Sequence, residues 1–82
     1  MSRFRLETPL GTVHVTLEPK KPKQRARLEY AGAEPAIAIV RYWLMSEEAT
    51  RGRMIGESAT EAEVEAALQR APRHVALSVA RE

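Results

Sequence analysis

The chain has 82 residues, with 13 lysines and arginines against 11 acidic residues and a formal net charge of +2 at pH 7. This length allows one small domain, so residues 1–82 are treated as a single unit. A composition of 44% hydrophobic and 29% charged residues is typical of a folded domain rather than a disordered chain. The absence of cysteine excludes disulfides, thiolate nucleophiles and cysteine-ligated zinc.

Hydropathy favours a cytoplasmic protein. No apolar run approaches the ~18 residues that a membrane span needs, and the longest, from Ala36 to Met45, contains Arg41. The first residues lack the apolar stretch of a signal peptide, so we expect neither export nor a membrane partner. Arginine-rich and alanine-rich usage is associated with GC-rich genomes, which favours a bacterial or phage origin.

Residues 3–18 have the pattern of a β-hairpin, in which apolar and polar side chains alternate with a period of two. Pro9 and Gly11 suit the turn, because proline presets its φ angle and glycine is common at the last turn position. The positions predicted to face the core are Phe4, Leu6, Thr8, Val13, Val15 and Leu17.

The segment 18–23 interrupts this alternation with two prolines and three lysines, and we expect an exposed loop there. A third strand follows and ends at Ala31-Gly32. Its inward positions are predicted to be Ala26, Leu28 and Tyr30, and its outward positions Arg25, Arg27 and Glu29.

A first helix is predicted over about residues 35–49, because Pro35 suits a first helical turn and residues 46–49 continue the helical pattern. Residues 37–44 are also rich in β-branched and aromatic side chains, so a buried strand is the competing interpretation. The inward helical face is predicted to consist of Ile37, Val40 and Leu44. Residues 51–56 are interpreted as a connector.

A second helix is predicted over residues 60–71, where Thr60 and Glu63 match a capping box and Pro72 ends the helix. Its inward positions are predicted to be Val64, Ala67, Leu68 and Ala71. The final strand is predicted over 74–80, with Val75, Leu77 and Val79 inward and His74, Ala76 and Ser78 outward.

The predicted element order is β-β-β-α-α-β. Alternating strands indicate a mostly antiparallel four-stranded sheet with one covered face. Two helices on that face make an α+β two-layer sandwich. Strand order does not follow from the sequence.

The chemistry-bearing residues are few. There is no aspartate, His14 and His74 are the only histidines, and the glycine-rich, nucleophile-elbow and zinc-helix motifs are missing. We therefore expect no enzyme, no cofactor and no metal site. Two exposed histidines are most often solvated side chains; if their strands are neighbours, the competing interpretation is a pH-sensitive pair or weak metal site on the open face of the sheet. A small enzyme with either histidine as general base is the weakest hypothesis.

The leading functional hypothesis is a small non-enzymatic module that binds a protein partner, as a regulator, adaptor or inhibitor. It is based on the outer side of the first helix, where Arg41, Tyr42 and Met45 have the composition of an interface centre. The competing interpretations are that Tyr42 and Met45 pack inside the domain, or that the same patch forms a homodimer.

The alternative hypothesis is sequence-nonspecific binding of nucleic acid. Five basic residues lie within eight positions of the segment from Lys20 to Arg27, where they could contact phosphates. The competing interpretation is a solvated loop beside an edge strand whose charges discourage aggregation. The open face has no predicted aromatic side chain for stacking on bases. The five basic residues are Lys20, Lys21, Lys23, Arg25 and Arg27.

Overall fold

Four strands and two helices follow one another in the order β-β-β-α-α-β, in a computed structural model that describes residues 2–20, 25–50 and 60–82. At residues 19–20, 25–26 and 48–50 the backbone alone is described. The elements are β1 (Ser2–Thr8), β2 (Gly11–Lys20), β3 (Arg25–Gly32), α1 (Glu34–Thr50), α2 (Glu61–Gln69) and β4 (Ser78–Arg81). The α+β fold class predicted from the sequence is confirmed. The predicted connector at 51–56 lies outside the described residues.

The strands form one antiparallel sheet in the order β3-β2-β1-β4. Val15 of β2 lies opposite Phe4 of β1 and Tyr30 of β3, and Phe4 lies opposite Arg81 of β4. β1 is therefore central, and β3 and β4 are the outermost of the described strands. Within the described ranges, neither helix has the length and apolar character to cross a membrane.

The core lies between the helices and one face of the sheet, as the alternation of side chains predicts. The inward residues of β1 and β2 are fully buried, and Leu28 and Tyr30 of β3 pack against them. Arg3 and Arg5 point to the other, open face and are exposed. Burying one large aliphatic or aromatic side chain in the core contributes about 1.5–3 kcal/mol to the stability of the fold. The buried apolar side chains of the strands are Phe4, Leu6, Val13, Val15 and Leu17.

The backbone groups of each strand alternate between its two neighbours. The carbonyl oxygens of Arg3 and Glu7 accept hydrogen bonds from the amides of Glu82 and Leu77, at 2.7 and 2.6 Å. The backbone N–H and C=O groups of odd-numbered residues of β1 are therefore directed toward β4, and those of even-numbered residues toward β2. By the register of the sheet, the backbone groups of odd-numbered residues of β2 are directed toward β1, and those of even-numbered residues of β3 are directed away from β2.

The loop predicted over 18–23 is wrong for residues 18–20, since β2 continues to Lys20 and Pro19 lies opposite Ala26 of β3. Residues 21–23 lie outside the described residues. Pro19 is odd-numbered, so the N–H that proline lacks would have pointed toward β1. β1 begins at Ser2, which lies opposite Leu17, and has no described residue beside Pro19. Proline is tolerated where a strand has a neighbour on one side only, so the pairing with β3 is kept.

The helical interpretation of residues 37–44 is confirmed. Ile37, Val40 and Leu44 are buried, and the amide of Ile37 donates to the carbonyl of Ala33 at 2.9 Å. These positions recur at helical spacing, so one face of α1 covers the sheet.

The predicted capping box begins α2. The hydroxyl of Thr60 accepts from the Glu63 amide at 3.2 Å, and the Thr60 amide donates to the Glu63 carboxylate at 3.1 Å. Val64, Ala67 and Leu68 face the core, as predicted. This cap fixes where α2 begins and hence which residues it turns inward.

The prediction of a strand over 74–80 is wrong in its first half. The Pro72 carbonyl accepts from the amides of Val75 and Ala76, at 2.8 and 2.9 Å, and these hydrogen bonds form a turn. The turn shifts the inward positions: Ala76 is buried with Val75, whereas Leu77 is 52% exposed. β4 begins only at Ser78.

Candidate protein-binding surface

The outer side of α1 presents large side chains to water. Successive residues of a helix are rotated by roughly 100°, so the helix that buries Val40 and Leu44 turns Tyr42 outward. Tyr42 is 73% exposed and Met45 is 38% exposed, and Arg41 is also exposed. The structure thus places the three predicted interface residues on the outer side of one helix.

Arg41 turns away from Tyr42 toward the edge of the sheet. Its guanidinium carbon lies 5.2 Å from the centre of the Tyr30 ring, in a cation–π contact. This contact holds the Arg41 side chain over β3. Arg41 therefore covers the partly buried Tyr30 ring and also faces solvent. Tyr42 is rotated from Arg41 by about 100° around the helix and points away from the core.

A groove of about 530 Å³ lies beside Tyr42, between α1 and the turn that precedes β4. α1 provides most of its walls, and the turn closes one side. Most of the lining is apolar, and the buried Val75 is part of it. The lining residues are Ala38, Ile39, Tyr42, Trp43, Ser46, His74 and Val75.

Two sets of hydrogen bonds hold the groove in shape. The indole nitrogen of Trp43 donates to the carbonyl of Ala67 in α2 at 2.8 Å, which fixes the indole ring between the helices. The turn on the Pro72 carbonyl places His74 and Val75 opposite α1. Both walls are thus set by the fold, and the groove exists before any partner binds.

The charges beside the groove are unevenly compensated. Nε of Arg70, at the end of α2, donates to the Glu47 carboxylate at 3.2 Å. Arg73 follows in the turn, is exposed, and has no ion-pair partner in the described part of the chain. Next to the groove-lining His74 there is thus a positive charge that no acidic side chain of the described residues pairs with.

The open face of the sheet, in contrast, carries ion pairs. The Glu82 carboxylate lies 2.8 Å from Nδ1 of His14 and 3.2 Å from Nε of Arg3. The hydrogen bond from His14 lowers the pKa of Glu82, assisted by attraction to His14, Arg3 and Arg5. Arg5 also lies 3.4 Å from the Glu7 carboxylate, so acidic side chains offset both arginines of β1.

His74 does not join His14 on the open face, so the two histidines do not form the pair that neighbouring strands would have allowed. β4 lies beside β1 rather than β2, and His74 belongs to the turn at the groove. Among the residues described, no three histidine or acidic side chains are close enough to hold a metal ion.

The predicted nucleic-acid segment is only partly described. Lys20 and Arg25 occupy paired positions at one end of β2 and β3, whereas Lys21 and Lys23 lie outside the described residues. Arg27 is exposed and forms a 3.2 Å ion pair with Glu29. The structure thus brings two of the five basic positions together.

The helical pattern predicts that Tyr42 faces outward, but nothing in it predicts the groove beside this residue. The groove needs His74 and Val75 next to α1, whereas their apolar alternation predicts a strand. The sequence signal for this turn is Pro72-Arg73-His74, since proline favours a turn.

Comparison of the chain with protein-family models, with curated proteins and with solved structures finds no match.

Proposed function

We propose that this chain is a non-enzymatic, cytoplasmic protein-binding module that docks its partner on the groove beside Tyr42. The observation that supports this best is the 73% exposure of Tyr42 at the rim of an apolar, preformed groove. Tyrosine, tryptophan and arginine are the residues that most often dominate binding energy at interfaces. A domain of this kind acts by occupying a surface of its partner, as a regulator, adaptor or inhibitor does.

The expected energy of such docking is substantial. Large aromatic side chains bury 150–250 Å² each, so covering the exposed part of Tyr42 contributes up to about 3 kcal/mol. The groove is fixed by the Trp43 hydrogen bond and by the turn at Pro72, so little conformational entropy is lost when it is filled.

The groove and its surroundings support one kind of partner. An apolar side chain fits among Ile39, Trp43 and Val75, and the exposed Arg73, next in sequence to the groove-lining His74, favours an acidic group nearby. The proposed partner is a polypeptide that presents an apolar residue with an acidic neighbour.

Site-specific photocrosslinking tests this proposal. A photoreactive phenylalanine replaces Tyr42 in one protein and Thr16, on the open face, in a control protein. We expect a discrete crosslinked partner from the host at position 42 only. The same product at position 16 would contradict the proposal.

The purified partner then allows a quantitative test. We expect Tyr42→Ala to raise its Kd by about 30-fold, the equivalent of about 2 kcal/mol, because a central aromatic anchor is lost. Arg73→Glu alone should also raise the Kd for the partner, whereas Thr16→Ala should leave the Kd unchanged. Equal affinity of the Tyr42→Ala protein and the unmodified protein would exclude this surface.

Nucleic-acid binding is the second candidate, because Lys20 and Arg25 occupy paired positions on neighbouring strands. Titration of labelled duplex and single-stranded DNA at low and moderate salt tests it. Binding that falls steeply with salt and is lost in Lys20→Ala/Arg25→Ala would support this candidate. Absence of binding at low salt would remove it.

A further inference from the structure

We propose that β3 is a self-association edge, through which two copies of this chain pair antiparallel with Leu28 opposite Leu28 of the second copy. The two sheets would then continue into one across the dimer. This surface is separate from the groove on α1, so the inference does not depend on the proposed function.

The exposed side of β3 has the backbone groups that such pairing needs. β3 is the outermost described strand beyond β2 and is eight residues long. Its even-numbered residues, Leu28 among them, direct their N–H and C=O groups away from β2. No described strand lies on that side. An edge of this kind is a template for another strand.

Side-chain charge selects one register. Arg27 and Glu29 are two positions apart on the open face and form a 3.2 Å ion pair with each other, and their side chains remain 56% and 55% exposed. With Leu28 facing itself, Arg27 of each copy lies opposite Glu29 of the other, which adds two attractive pairs between the copies to the pair within each copy. A shift of the twofold axis by one residue along the strand places Arg27 opposite Arg27, or Glu29 opposite Glu29. Like charges directly opposite each other are destabilising, so the first register is favoured.

The backbone agrees with this register. In an antiparallel pair, two opposite residues exchange both backbone hydrogen bonds if each directs its N–H and C=O groups toward the other strand. Leu28 meets this condition with its counterpart, and in this register position 30 lies opposite residue 26 of the second copy. Leu28 is only partly buried in one copy and packs against the core, so a second β3 covers its remaining apolar surface.

The symmetry of this dimer has a consequence for the grooves. A twofold axis perpendicular to the sheet keeps both helix layers on the same side. Both Tyr42 side chains then face the same side of the assembly.

Charge reversal tests the pairing. We expect sedimentation to show a concentration-dependent dimer for the unmodified chain. Arg27→Glu or Glu29→Arg should each raise the dimer Kd by about tenfold or more, because both attractive pairs become repulsive. A mixture of the two variants should associate again, since both glutamates of one chain then face both arginines of the other. Arg5→Glu, on central β1, is the matched control and should leave the dimer intact.

Two results would overturn the inference. One is a chain that sediments as a monomer at about millimolar concentration. The other is a loss of dimer in Arg5→Glu equal to that in Arg27→Glu.

Disulfide trapping tests the register directly, because the chain has no cysteine of its own. Leu28→Cys places two cysteines across a pair with a Cα separation of about 5.5 Å, within the disulfide range of about 4.4–6.8 Å. We expect oxidised dimer from this variant. In Tyr30→Cys each cysteine faces residue 26 instead, so little dimer should form. Efficient trapping at position 30 but not 28, with both variants folded by circular dichroism, would refute the register.

Discussion

The indole nitrogen of Trp43 lies 2.8 Å from the carbonyl oxygen of Ala67, and this hydrogen bond ties α1 to α2. It also fixes the orientation of the ring that forms one wall of the groove. One side chain thus links the packing of the helices to the shape of the candidate binding surface.

Replacing Trp43 by phenylalanine should lower the free energy of unfolding by about 1–2 kcal/mol. The substitution removes the indole hydrogen bond that joins the two helices and leaves the Ala67 carbonyl with the weaker contact to the Arg70 amide, at 3.2 Å. Urea denaturation measures the change. Tyr42→Phe, at an exposed position on the same helix, is the control and should stay within about 0.5 kcal/mol. Equal effects of the two variants would mean that the indole hydrogen bond contributes nothing.

The contact between His14 and Glu82 predicts a pH dependence at the acidic end. The hydrogen bond from His14 holds the pKa of the Glu82 carboxyl below its ordinary value of 4.5. A carboxyl whose pKa is lower in the folded state than in the unfolded state stabilises the fold. This stabilisation is complete above the ordinary, unfolded-state pKa and is lost as the pH falls through the lowered pKa.

An NMR titration of the Glu82 carboxyl carbon tests this dependence. His14→Ala should raise the measured pKa toward its ordinary value, whereas His74→Ala, in the turn before β4, should leave it unchanged. The same midpoint in His14→Ala as in the unmodified chain would show that the contact does not form in solution.

The capping box of α2 predicts a measurable loss of stability. Thr60→Ala removes the acceptor for the Glu63 amide and should destabilise the domain by about 1 kcal/mol. Thr60→Ser keeps the hydroxyl and should retain most of the stability. Thermal and urea unfolding of the two variants measure the difference, and a Thr60→Ser protein as unstable as Thr60→Ala would contradict the cap.

Two leucines with different environments test the position of the core. Leu17 is fully buried, so Leu17→Ala should cost about 2–5 kcal/mol of unfolding free energy through lost burial and a cavity. Leu77 is 52% exposed, and Leu77→Ala should cost much less. If the prediction of an inward Leu77 were correct after all, the two variants would be similarly destabilised.

Local patterns predicted most of the fold because each element satisfies its own periodicity. Phe4 and Leu6 alternate with arginines, and Thr60 and Glu63 stand at capping-box spacing, so neighbours in sequence were enough to assign them. The same holds for the exposure of Tyr42, which follows from its angle to Val40 and Leu44 on the helix.

The errors arose where a distant element decides the outcome. Pro19 remains in a strand because the N–H that it lacks would point away from β3, and the sequence around Pro19 does not show on which side its partner strand lies. The apolar spacing of Val75 and Leu77 suggested a strand, but the carbonyl of Pro72 binds the next free amides and forms a turn instead. The groove could not be predicted, since it depends on this turn lying against α1.

The central place of β1 between β2 and β4 constrains how the chain acquires its structure. β2 follows β1 through a short turn and can pair with it early, whereas residues 78–81 reach β1 only after both helices have been made. Closing so long a segment is slower than forming a hairpin. During synthesis on the ribosome, the first three strands therefore assemble without their fourth neighbour. One edge of β1 stays open until the final residues emerge.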